Sequence, residues 1–135
     1  PAPVTMLRLD MITLVVPDYD EAIAFFVGKL GFRLRVDQVE SPAKRWVEVE
    51  SDGGMRLLLA KAANDRQQAA VGNQTGGRVG FFLTTDDFAA THRRMTQRGV
   101  TFAEEPRHEP YGTVAVFEDM AGNLWDLIEP ARKAA

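Results

Sequence analysis

The chain has 135 residues, enough for one domain that buries roughly two-thirds of its unfolded surface. With 45% hydrophobic and 26% charged residues it is neither disordered nor fibrous, and a formal net charge of -3 with no basic cluster longer than Arg93-Arg94 leaves no footprint for nucleic acid. No cysteine is present, which removes disulfides, thiolate metal sites and a cysteine nucleophile, and no apolar run approaches the ~18 residues of a membrane span. The first ten residues, PAPVTMLRLD, lack the apolar core of a signal peptide. The expectation is a soluble cytoplasmic protein.

Residues 7–16, LRLDMITLVV, alternate loosely and end in a β-branched run, which predicts a strand. PDYDEAIAFFVGKLGF follows as a helix: Asp18 is an N-cap with Glu21 three residues on, Ile23, Phe26 and Leu30 form an apolar stripe, and Gly31 suits the position beyond the C-cap. Three strands are predicted at 32–40, 44–51 and 55–61, divided by Ser41-Pro42 and by Asp52-Gly53-Gly54. Residues 62–77 are polar and glycine-bearing, with a brief helix near 65–71, and read as a linker.

The order then repeats. RVGFFLTT (78–85) is a strand, and DDFAATHRRMTQRG is a helix capped by Asp86 or Asp87 and ended at Gly99. Strands follow at 100–109, 113–119 and 123–129. Asp18 corresponds to Asp87, 69 positions on, and Gly54 to Gly122, 68 positions on. A near-constant offset marks an internal repeat. The chain therefore reads as a single domain over 1–135, built of two βαβββ modules at about 7–61 and 78–130. Each module covers one sheet face with its own helix. Paired, the modules can turn their other faces together and enclose a cleft for a small ligand.

Within ITLVVPDYDEAIAFFVGKLGF, TTDDFAATHRRMTQRGV and VAVFEDMAGNLWDLIEP the chain resembles the vicinal oxygen chelate superfamily, which includes glyoxalase I, extradiol dioxygenases and bleomycin-resistance proteins. The resemblance runs from about residue 7 to 130. It implies an α+β fold, two tandem βαβββ modules forming a cupped mixed sheet with an enclosed cleft, and a homodimer. It also implies a divalent metal held on four strand positions, commonly His, Gln or Glu, which fall here on Met11, Leu58, Gly80 and Asp126. Met, Leu and Gly offer a divalent ion no oxygen or nitrogen side-chain donor, so Asp126 alone could serve a metal.

With Asp126 facing the cleft, strand alternation places Leu124 and Ile128 beside it, with Met11, Thr13 and Val15 from the first strand and Gly80, Phe82 and Thr84 from the fifth. Leu58 brings Arg56, while Trp46, Glu48 and Glu50 share the face opposite Val47 and Val49. Arg56, Glu48 and Glu50 are either polar contacts for a ligand or cross-strand charge pairs, and Trp46 is either core or a stacking platform. The expected function is binding of a small organic molecule in a largely apolar cleft, with no cofactor. The alternative is a metal-dependent glyoxalase-like lyase or isomerase, or a dioxygenase, with one divalent ion on Asp126 and further ligands. A third class is a protein whose sheets serve assembly. Glu104 and Glu105 point to opposite sides of a strand and read as solvated surface, His92 as a packed helix residue, and His108 as a loop residue.

Overall fold

A computed structural model describes residues 5–132; the outermost residues of the expected domain, 1–4 and 133–135, lie outside the described residues. The elements run β1 (Met11–Val16), α1 (Tyr19–Ile23) continued by a π-helical segment (Ala24–Lys29), β2 (Arg33–Ser41), β3 (Lys44–Glu50) and β4 (Arg56–Lys61). After α2 (Asp65–Ala70) come β5 (Val79–Thr84), α3 (Phe88–Gln97), β6 (Thr101–Phe102), β7 (Arg107–Glu109), β8 (Gly112–Glu118) and β9 (Leu124–Pro130). Two mixed sheets result, in the orders β1-β4-β3-β2 and β5-β9-β8-β6, with β7 also paired to β8. In each, the strand before the helix lies parallel to the last strand, the mark of a βαβββ unit.

The helix caps are those the sequence predicts. Asp18 Oδ2 accepts from the Glu21 amide at 2.9 Å, and Asp87, rather than Asp86, accepts from the Ala90 amide at 3.0 Å. Glu129 on β9 adds a bond from the Phe88 amide at 2.8 Å, which anchors the start of α3 to its own sheet. The wider turn of the π-helical segment brings two successive aromatics, Phe25 and Phe26, into the interior.

Two strand boundaries and one register differ from the sequence expectation. β1 begins at Met11 rather than Leu7, because its partner β4 starts at Arg56 and offers nothing to pair with earlier residues. The predicted strand 100–109 is broken into β6 and β7 around Pro106, which lacks an N–H, and Glu104 Oε1 takes the Val116 amide left over at the gap (3.1 Å). Gly80 sits at a bulge, between the pairs Val79–Leu124 and Phe81–Trp125.

The core lies on the helix sides of the two sheets and is continuous between them. Phe26 stacks near Phe32 (5.6 Å between centroids) and meets Trp125 of β9 at 5.6 Å, and Trp125 in turn packs on Phe81 and Phe117. Val47, Val49, Leu14 and Leu59 from the first sheet and Ala115, Phe117 and Leu127 from the second are buried in this cluster. The segment before β5 ties the units further. Gln74 places its side-chain amide on the free edge of β1, donating to Thr13 O (2.7 Å) and accepting from Val15 N (2.9 Å), while its own amide donates to Asn123 Oδ1 (3.3 Å).

Because the units share their helix sides, the opposite sheet faces stand open within one chain. Phe82 is 66% exposed and Thr13 is exposed.

Candidate functional site

The turn before β9, Asp119-Met120-Ala121-Gly122-Asn123, fixes which residues reach the open face. Asp119, 6% exposed, accepts four hydrogen bonds: Oδ1 from the Ala121 and Asn123 amides, Oδ2 from Asn123 Nδ2 and Trp125 Nε1, all at 2.9–3.0 Å. Gly122 supplies the positive φ of 97° that the turn requires. Tethering the Trp125 indole nitrogen sets Trp125 and Leu127 inward, so Asp126 points to the open face.

Asp126 pairs in register with Phe82 of β5 on one side and Val116 of β8 on the other. Its Oδ1 is buried and has no hydrogen-bond partner among the described residues. Burial raises the carboxyl pKa above its ordinary value; Arg107 opposes that shift and Glu104 reinforces it.

On the first sheet the predicted polar residues satisfy one another. Glu48, 7% exposed, accepts from Trp46 Nε1 at 2.7 Å and from Arg56 Nη1 at 2.8 Å, and Arg56 also reaches Asp10 at 3.3 Å. Glu50 is held by Arg33 (3.1 Å) and Arg35 (3.0 Å), and the Arg33 hydrogen bond, offset in part by desolvation, keeps its pKa below the ordinary value. Of the two readings open for Arg56, Glu48 and Glu50, the charge pairs are present: Arg56 with Glu48, and Glu50 with Arg33 and Arg35. Met11 lies opposite Arg56, and Thr13 opposite Leu58.

A model of the Glyoxalase/Bleomycin resistance protein/Dioxygenase superfamily matches residues 8–127. The chain belongs to this superfamily. An uncharacterised protein of Shewanella frigidimarina is 52% identical over 121 residues, 87% of this chain and 90% of that protein. Among solved structures, UcmS2 is 32% identical with a TM-score of 0.79, covering 92% of this chain and 98% of that one. TnmS3, an antibiotic binding protein from Streptomyces sp. CB03234, is 28% identical with a TM-score of 0.75, covering 96% of this chain and 100% of that one.

Within the superfamily fold the four strand positions expected for a metal can be tested on their residues. Met11, Leu58 and Gly80 bring no hard donor to the open faces, and the donor set does not fit a divalent ion. Register also sets Thr13 beside Leu58 and Phe82 beside Asp126, so Met11 and Gly80 are not the direct cross-strand neighbours of those positions. At the Gly80 bulge the Thr75 side chain lies where a Cβ would stand, 2.4 Å away, and would crowd any larger residue. Among the described residues no three of His, Cys, Asp and Glu gather as a metal-binding group. His92 stacks between Phe88 (5.5 Å) and Phe102 (4.2 Å), and His108 lies beside the Thr113 hydroxyl (3.3 Å).

The sequence reading missed a charged group on the same side as Asp126. Arg107 pairs with Val114, which pairs with Ile128, so it shares the Asp126 face. Its Nε donates to both oxygens of Glu104 at 3.0 Å, and its Nη1 to Glu109 at 2.9 Å. Glu104 is therefore half-buried structure, not solvated surface. The usable signal was Pro106: it interrupts the strand and lets residues 104, 107 and 109 gather, which strict alternation forbids. No described helix is long and apolar enough to cross a membrane.

Proposed function

We propose that the chain is a single domain that binds a small organic molecule on its open sheet faces without a divalent ion, in the manner of a sequestering or resistance protein. One observation carries this reading: the four strand positions bear Met11, Leu58, Gly80 and Asp126, an apolar set with one carboxylate whose buried oxygen has no partner. A half-apolar surface with one unsatisfied acceptor suits an organic ligand with a polar handle better than a cation. The likeness to an antibiotic binding protein over nearly the whole of both chains supports the same class.

The protein acts as a homodimer in the cytoplasm in this reading. The extended arm before β1, with Leu7 at 99% and Leu9 at 71% exposure, is an apolar surface that a second copy would cover, closing the open faces into a cleft. Sedimentation at micromolar concentration checks the dimer, and cell fractionation checks the location.

The deciding experiment is a thermal-shift series on protein purified without chelator. A panel of antibiotics and aromatic metabolites should raise the melting temperature by several degrees for at least one compound, equally with and without EDTA. Stoichiometric zinc, nickel, manganese or iron in the purified protein, with stabilisation lost in EDTA, would establish the metal-dependent enzyme instead.

A further inference from the structure

The environment of Asp126 specifies more than a polar handle. Asp126 and Phe82 are register partners on adjacent parallel strands, so their Cβ atoms stand about 5 Å apart on one face. Phe82 turns most of its ring to solvent, and no described residue packs over it closely enough to hide it. An exposed ring beside a carboxylate with no donor is half of a recognition pair. The ring is a flat surface for stacking; the carboxylate has its Oδ1 buried, and its Oδ2, neither buried nor hydrogen-bonded among the described residues, is open to an N–H or O–H.

A guanidinium that shares that face and acts on the Asp126 charge is withheld. Glu104 grips the Arg107 Nε from two oxygens and Glu109 holds its Nη1. Glu104 is itself fixed by the Val116 amide, on the residue directly opposite Asp126. Two carboxylates, Glu104 and Glu109, thus take the one arginine, and Asp126 goes without. The first sheet shows the contrary arrangement, where Arg56 and Trp46 both serve Glu48.

We propose that the ligand is an aromatic molecule bearing a hydroxyl or amine donor, stacked on Phe82 with that donor on Asp126, and that Glu104 and Glu109 are positioning residues that keep Arg107 off the acceptor. This rests on the small-molecule reading above and narrows it to a ligand class. A hydrogen bond to a carboxylate shielded from water separates a donor-bearing ring from its capped analogue by roughly tenfold in affinity.

The probes are 2-naphthol, 2-naphthylmethylamine and 2-methoxynaphthalene, titrated calorimetrically into the full chain. Either donor-bearing compound should bind about tenfold more tightly than the methoxy compound. Asp126→Ala should abolish that ratio by weakening the two donor-bearing compounds most, and Phe82→Ala should weaken all three. Glu104→Gln, which keeps an acceptor for Val116 N, and Glu109→Gln should free Arg107 and shrink the ratio a few-fold, whereas Glu105→Gln, at an exposed position, should not move it. Circular dichroism confirms that each variant is folded. A merely structural role for Glu104 or Glu109 would change stability and leave the ratio intact, which overturns the positioning claim. Equal affinity for the donor-bearing and methoxy compounds in the native protein overturns the ligand class, even where other compounds of the wider panel still bind. If nothing in that wider panel shifts the melting temperature, the binding reading itself falls, and this inference with it.

Discussion

The two βαβββ units are built to one plan but treat their open-face carboxylates in opposite ways. In the first, Glu48 is nearly fully buried and held by an indole N–H and a guanidinium. In the second, Asp126 keeps a buried oxygen with no donor while the adjacent guanidinium is bound elsewhere. The turns before the last strands differ in the reverse sense. Asp119 organises its turn with four short bonds, whereas the equivalent Ser51, 68 positions earlier, makes two long contacts at 3.3 and 3.4 Å. The second unit thus invests its polar order under the strand and leaves the surface above it unsatisfied. The two sheets differ in polar order: the first satisfies its open-face carboxylate from two donors, and the second leaves one without a donor.

The comparison can be broken most sharply at the turns. Asp119→Ala strands two backbone amides, a side-chain amide and the Trp125 indole N–H, and should cost roughly 2–4 kcal/mol in urea unfolding. Ser51→Ala should cost under about 0.5 kcal/mol. Next in size, Arg56→Leu leaves Glu48 buried with its charge unopposed and should cost about 2 kcal/mol, reduced from a fully buried pair because the Arg56 side chain retains 26% exposure. The corresponding Arg107→Leu in the second unit should cost less, since Glu104 keeps the Val116 amide.

The smallest effect concerns pH. Burial raises the Asp126 pKa in the folded chain above its unfolded value, so the folded state binds the proton more tightly. Its contribution to stability is therefore greatest at low pH, below the unfolded value, and declines as pH rises through the folded one. Asp126→Asn should flatten that part of the stability profile and gain under about 1 kcal/mol at neutral pH, an amount limited by solvent screening of a half-buried group. A variant less stable than the parent at pH 7 would show that Asp126 has a partner in solution.

Much of the architecture was legible because it rests on local rules. Asp18 and Asp87 announce their helices, Val47 and Val49 alternate with Glu48 as a half-buried strand demands, and the 68- to 69-residue offset reveals the duplication. What was not legible depends on chain segments crossing in space. The bulge at Gly80 shifts which residue faces Asp126, and no spacing in the sequence predicts it. Glu104, Arg107 and Glu109 meet only because Pro106 interrupts the strand. The units' sharing of helix sides, through Phe26 and Trp125, depends on packing between residues 99 positions apart.

Gln74 has a consequence beyond holding a linker in place. A primary amide carries the same donor and acceptor as a peptide group, and here it stands on the free side of β1 as the next strand would. The sheet is finished off by one side chain, which leaves Thr13 O and Val15 N unavailable to a stray strand from another molecule. Gln74→Ala would reopen that margin, and the segment that connects the two halves would cease to guard against runaway strand addition.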